Sequence, residues 1–147
     1  MGSVIAKGSR LLLDTVALIY FFEQHPRYAT KTEQIFGRIE SGELQGIMAT
    51  LALAELLVPL YRCGDRQTAS GLTNRLTNFC NLEVVPLTTE IGMEAARLRA
   101  DHGLRTPDAI HGATAIVNEA SGILTNDKRL KVLTLEGLSV WLFDTLE

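Results

Sequence analysis

Arg10-Leu11-Leu12-Leu13-Asp14-Thr15 decides how this chain folds. A strand with one wet face alternates apolar and polar residues. Three leucines in a row instead match a short strand of a parallel sheet, buried on both faces. Arg10 to Leu13 is therefore predicted to be such a strand. Asp14 then stands at its carboxyl end, the edge of an open parallel sheet where ligands bind.

Working outward, Thr15 to Glu23 is apolar and too long for a further strand, which predicts a helix broken at His25-Pro26-Arg27. Thr32 to Glu40 has Ile35, Phe36 and Ile39 on one face and Gly42 as a stop, an amphipathic helix. Leu44 to Ala49 reads as a second strand. Thr50 reads as the N-cap of a helix running to about Arg62, which Pro59 is expected to kink or shorten. Asp65 to Asn78 is a further helix and Glu83 to Leu87 a third strand. Thr88 or Thr89 caps a helix from Glu90 to about Asp101, ended by Gly103. Thr106-Pro107-Asp108 carries a cap, an early proline and a first-turn acid, so a helix starts there and ends near Ser121-Gly122. Ile123 to Thr125 and Leu138 to Phe143 complete the strands. Strands alternating with helices predict an α/β fold with a mostly parallel sheet and helices on both faces.

Four acids occupy unusual places in that scheme. Asp14 closes the leucine run, Glu55 is the only charge from Ile47 to Tyr61, Asp108 opens an alanine-rich helix, and Asp127 follows the strand ending at Thr125. A carboxylate taken out of water costs several kcal/mol unless it is paired or binds a metal, and the same apolar segments hold no lysine or arginine. Each acid has a plainer reading. Asp14 can cap the next helix, Asp108 can answer a helix dipole, and Asp127 can make a turn. Taken together, all four fall on one predicted rim of the sheet. Like charges that close would raise one another's pKa, and a hard divalent ion such as Mg²⁺ or Mn²⁺ resolves the repulsion. Such an ion can activate water and neutralise a phosphoryl group, which points to an enzyme.

The composition bounds this reading. The chain has 147 residues, the size of one domain, and is 46% hydrophobic and 21% charged. One domain over 1–147 is expected, with residues 1–9 flexible or partly an expression remnant. A net charge of −3 excludes a broad basic coat for nucleic acid but leaves room for a local basic rim. Cys63 and Cys80 have no ligand spacing and fit a reducing cytosol. Lys7 and Arg10 before an apolar run imitate a signal peptide, but Asp14 interrupts it and no cleavage site follows. Position six is alanine, against a myristoylation signal. No apolar stretch approaches the roughly 20 residues needed to cross a bilayer. A cytoplasmic protein with no membrane partner is expected.

Leu-Leu-Leu-Asp-Thr at 11–15, Thr-Leu-Ala-Leu-Ala-Glu-Leu at 50–56, Thr-Pro-Asp-Ala-Ile-His-Gly-Ala-Thr-Ala at 106–115 and Leu-Thr-Asn-Asp at 124–127 resemble the four acidic motifs of PIN domains, in order and across nearly the whole chain. The length is similar to that of VapC-type toxins of toxin–antitoxin pairs. The resemblance implies a three-layer α/β/α sandwich and a metal-dependent endoribonuclease, often a homodimer, held inactive by a cognate antitoxin. It implies that Asp14, Glu55, Asp108 and Asp127 are the catalytic and metal-site acids, using Mg²⁺ or alternatively Mn²⁺. Thr125 matches the residue that helps position the metal site, Asn126 lies between it and the last acid, and Thr15 follows the first acid.

Some residues remain open to two readings. His111 lies one helical turn after Asp108 and is either a general base or a packed helix residue. Arg97, Arg99, Arg105, Lys128, Arg129 and Lys131 flank the predicted rim, with Arg105, Lys128 and Arg129 as the candidates for RNA contact. Tyr20, Phe21, Phe22 and Phe36 are core, a dimer surface or a groove for a partner helix. Rival acid-based folds fit less well. A haloacid-dehalogenase type needs a second acid where Val16 stands, and a receiver domain needs paired acids that do not appear. An RNA-processing nuclease of the same fold, or a non-catalytic binding module, stays as an alternative.

Overall fold

The computed structural model describes residues 4–147. Five strands form one sheet: β1 (Arg10–Leu13), β2 (Gln45–Ala49), β3 (Leu82–Val85), β4 (Gly122–Thr125) and β5 (Ser139–Leu142). Their order is β3-β2-β1-β4-β5, and every pairing is parallel. The chain leaves β1 toward one edge through β2 and β3, then returns to the other side for β4 and β5. The order therefore reverses at β1, and the crevice beyond its carboxyl end lies at the switch point.

The leucine run explains the layers. Leu11 and Leu13 point into one apolar core with Leu18, Phe36 and Leu56. Leu12 points into the other with Ile91, Leu98 and Leu133. All three are fully buried, each stabilising the fold by roughly 2 kcal/mol. The first core is closed by α1 (Thr15–Phe22), α2 (Ala29–Glu40), α3 (Thr50–Arg62) and α4 (Arg66–Thr77). The second is closed by α5 (Thr89–His102), α6 (Thr106–Val117) and a 3₁₀ segment, Lys128–Glu136. The result is an α/β/α sandwich.

Several local expectations need correction. Thr50 is the first residue of α3 and not its cap; its hydroxyl donates to the Val85 carbonyl at 2.8 Å, tying α3 to β3. Thr106 likewise lies inside α6, and its hydroxyl accepts from the Arg99 guanidinium at 3.0 Å. Pro59 does not shorten α3, which continues to Arg62. The helix begun at Thr106 ends at Val117, earlier than expected, and Gly122 joins β4. Gly103 does end α5, in the left-handed region with φ of 68°.

The lead expected to be loose, residues 1–9, lies in part outside the described residues. Within them, Ile5 is buried and its carbonyl accepts from Arg38 at 2.8 Å. Among the described residues no helix is long and apolar enough to cross a membrane. Cys63 and Cys80 are both free and exposed.

Candidate active site

Asp14 is the first residue beyond β1, and its carboxylate is fixed from two sides. Oδ1 accepts from the Thr15 amide at 2.9 Å, capping α1, and Oδ2 accepts from the Thr125 hydroxyl at 2.7 Å. Thr125 ends β4 and is fully buried. Its oxygen also accepts the Asp127 amide at 3.1 Å, so one hydroxyl joins the first and fourth acids.

Glu55 projects from the second turn of α3. Its Oε1 accepts from the Thr15 hydroxyl at 2.7 Å and lies 2.9 Å from His111 Nε2. The His111 hydrogen bond holds the Glu55 carboxyl below its usual pKa against a smaller opposing effect of burial. Asp108, in the first turn of α6, is buried, and its Oδ2 accepts from Arg105 Nε at 3.0 Å. Asp127 caps the 3₁₀ segment through the Arg129 amide at 2.9 Å. The Arg129 side chain grips the same carboxylate, with Nε at 3.0 Å from Oδ1 and Nη2 at 2.7 Å from Oδ2. That guanidinium keeps the Asp127 pKa below its usual value.

The four acids line one cleft of about 700 Å³ with Arg105 and Lys128 at its side. The structure thus brings together all four sequence-predicted acids and two of the three candidate bases, Arg105 and Lys128; Arg129 does not line the cleft, its guanidinium being held by Asp127. Arg105 and Arg129 are the counter-ions, supplied from just outside the apolar segments. The capping readings of Asp14 and Asp127 hold alongside their place in the cleft.

Asn126 also lines the cleft but bonds away from the acids. Its amide donates to the Tyr20 and Tyr28 hydroxyls at 3.3 and 3.1 Å, and its Oδ1 accepts the Asp144 amide at 3.3 Å. Tyr20 and Tyr28 stack with centroids 4.5 Å apart, joining the C-terminal segment to the rim. Arg97 is drawn off into ion pairs with Glu94, Asp101 and Glu136, and Arg99 bonds Leu104 and Thr106; neither lines the cleft.

His111 is the residue that sequence reasoning weighed too lightly. It is 1% exposed and contacts Glu55, Thr15 and Asp14 at 2.9, 3.4 and 3.6 Å. Burial pushes its pKa down, but the Glu55 hydrogen bond and the charges of Asp14, Glu55 and Asp108 outweigh that and raise it. The signal was its position one turn from Asp108 in an otherwise small and apolar helix.

A set of carboxylate oxygens suits Mg²⁺ or Mn²⁺ and not zinc. Among the described residues no three His, Cys, Asp or Glu side chains form a ready-made cage. Asp108 and Asp127 are instead held by Arg105 and Arg129. An acid-lined cleft at the switch point of a parallel α/β/α sandwich is the pattern of this class of domain. The PIN domain family model matches residues 11–134, and the chain belongs to that family.

Solved structures share the fold. A DNA-bound VapBC complex from Salmonella typhimurium aligns with a TM-score of 0.71 at 13% identity, covering 92% of this chain and 98% of that one. A toxin–antitoxin complex from Klebsiella pneumoniae aligns at 0.58 and 21%, covering 80% and 86%. The Mycobacterium tuberculosis toxin VapC20, described as cleaving the sarcin–ricin loop, aligns at 0.59 and 14%, covering 77% and 86%. No curated protein sequence matches the chain significantly.

Proposed function

We propose that this protein is a divalent-metal-dependent endoribonuclease and the toxin of a type II toxin–antitoxin pair. The observation that carries the reading is the arrival of Asp14, Glu55, Asp108 and Asp127, from four separate segments, in one cleft. Asp14 and Asp108 would hold Mg²⁺ or Mn²⁺ directly, with Glu55 and Asp127 holding its waters or a second ion. Bound there, the metal would lower the pKa of an attacking water and neutralise charge on the scissile phosphate. Thr125 fixes the Asp14 carboxylate in one orientation, so this acid is already placed before reaction. Arg105 and Lys128 line the cleft, where guanidinium and ammonium groups can take the flanking phosphates of RNA, and Arg129, held on Asp127, stands beside them as a further candidate.

A second, more apolar groove supports an antitoxin partner. It has a volume of about 370 Å³ and is lined by Phe22 from α1, Leu56 and Leu60 from α3, and Leu72 from α4, opening beside Glu55. Such a groove takes the apolar face of a helix. The solved toxin–antitoxin complexes of the same fold favour this partner. The same reading takes the working form to be a homodimer in the cytoplasm, in keeping with two free cysteines.

Purified protein is expected to cleave total RNA with Mg²⁺ and to stop with EDTA. Substitution of an outer-shell group at a metal site costs about 10–100-fold, so Asp14→Asn, which removes a direct ligand, is expected to cost more. Asparagine caps helices as well as aspartate, so the fold is expected to survive, as judged by circular dichroism. Full cleavage by Asp14→Asn, or cleavage indifferent to EDTA, contradicts the proposal.

A further inference from the structure

His111 is buried and does not line the cleft, although it touches two of the acids that do. Two donors reach one oxygen of Glu55: the Thr15 hydroxyl at 2.7 Å and His111 Nε2 at 2.9 Å. Both converge on Oε1 and leave Oε2 without either donor, and Glu55 lines the cleft. Glu55 needs such a hold, because its side chain is 38% exposed and has free torsions that a short, buried aspartate lacks.

The proton on the imidazole follows from its surroundings. Glu55 is an ionised acceptor, and the nearest oxygen of Asp14 is a second one at 3.6 Å. A bare Nε2 lone pair would face two carboxylates, which is repulsive. Nε2 therefore carries hydrogen, in the neutral ring as in the charged one. The other nitrogen, Nδ1, is buried and has no hydrogen-bond partner among the described residues. A buried polar atom left without a partner costs roughly 1–3 kcal/mol. A histidine that served only to fill space here would carry that cost for nothing that leucine could not supply.

We infer that His111 is a positioning residue whose Nε2–H donates to Glu55 Oε1 and, with the Thr15 hydroxyl, aims Oε2 into the cleft. The inference deepens the nuclease reading and rests on it for its consequence, though not for its geometry. It excludes His111 as the general base that its place near Asp108 suggested. Of the two imidazole nitrogens, the one that reaches Glu55 is already a donor, and the other is buried.

Two isosteres separate the roles. The amide nitrogen of glutamine falls near the place of Nε2 and keeps the donor. That of asparagine falls near Nδ1 and does not reach Glu55. Asparagine is one methylene shorter than glutamine, so His111→Leu, which fills the space without a donor, serves as the packing control and is expected to bind as weakly as His111→Asn. In calorimetric titration of the metal-free proteins with Mn²⁺, His111→Asn is expected to weaken binding by roughly tenfold, as loss of an outer-shell hydrogen bond does. His111→Gln is expected to remain near wild type. Equal affinities for His111→Asn and His111→Gln, or wild-type affinity in His111→Leu, overturn the inference, because a packing role needs volume and not a donor. Nitrogen-15 imidazole spectra of the wild-type protein without metal supply a readout independent of nuclease activity. They are expected to show a slowly exchanging proton on Nε2 that is lost or shifted in Glu55→Gln. A proton on Nδ1 alone overturns the inference. If the wild type binds no Mn²⁺ at all, the metal reading fails, and the spectra still decide the role of His111.

Discussion

Thr125 shows how much can hang on one hydroxyl. It donates to Asp14 at 2.7 Å, accepts the Asp127 amide at 3.1 Å, and is fully buried. Thr125→Val keeps the shape and removes both bonds, leaving the half-buried Asp127 amide without this acceptor. It is expected to cost about 2 kcal/mol in urea unfolding and roughly tenfold in Mn²⁺ affinity, while Thr125→Ser stays close to wild type. A Thr125→Val protein with unchanged stability would remove the hydroxyl from the account. The acids themselves were legible in the sequence, because a charge in an apolar run is an energetic anomaly. Their partners were not. Arg105 lies three residues before Asp108 and Arg129 two after Asp127, outside the runs that framed the question, and only backbone geometry tells whether such neighbours meet.

At the scale of elements, the leucine run identified β1 and its depth in the sheet, since consecutive apolar residues have no other economical place. Helix starts were harder. Thr50 and Thr106 have the composition of caps, yet their hydroxyls make tertiary bonds, to the Val85 carbonyl and the Arg99 guanidinium. Local chemistry cannot distinguish a cap from such a bond. The 3₁₀ segment Lys128–Glu136 has no strong periodicity and drew no expectation at all. Gly122 was read as a helix terminator, whereas it is the first residue of β4. A Cβ built there would lie 2.3 Å from the Ser139 carbonyl and 2.8 Å from the Trp141 ring. Gly122→Ala must push β5 from β4, and is expected to destabilise the protein by about 3 kcal/mol. A thermal midpoint equal to wild type would contradict this packing.

Across the whole molecule, acidic groups are held below their ordinary pKa at both the cleft and the far side of the second core. Arg97, then His102, lower Glu136 from 4.5 to about 2, while Glu55 and Asp127 are lowered by His111 and Arg129. For a depressed carboxyl the unfolded chain binds the proton first. Its contribution to stability is therefore full above the ordinary value and is lost as pH falls through the folded one. Stability is expected to fall as pH drops from about 4.5 toward about 2, and Glu136→Gln to flatten that fall. An identical pH profile in the variant would show that the Arg97–Glu136–His102 network does not couple to folding.

The central claim is that four carboxylates from distant segments form one divalent-cation site. Calorimetric titration of the metal-free protein with Mn²⁺ tests it most directly. The account predicts saturable binding that disappears in Asp14→Asn while the fold persists; absence of binding in the wild type, or equal binding in the variant, would contradict it.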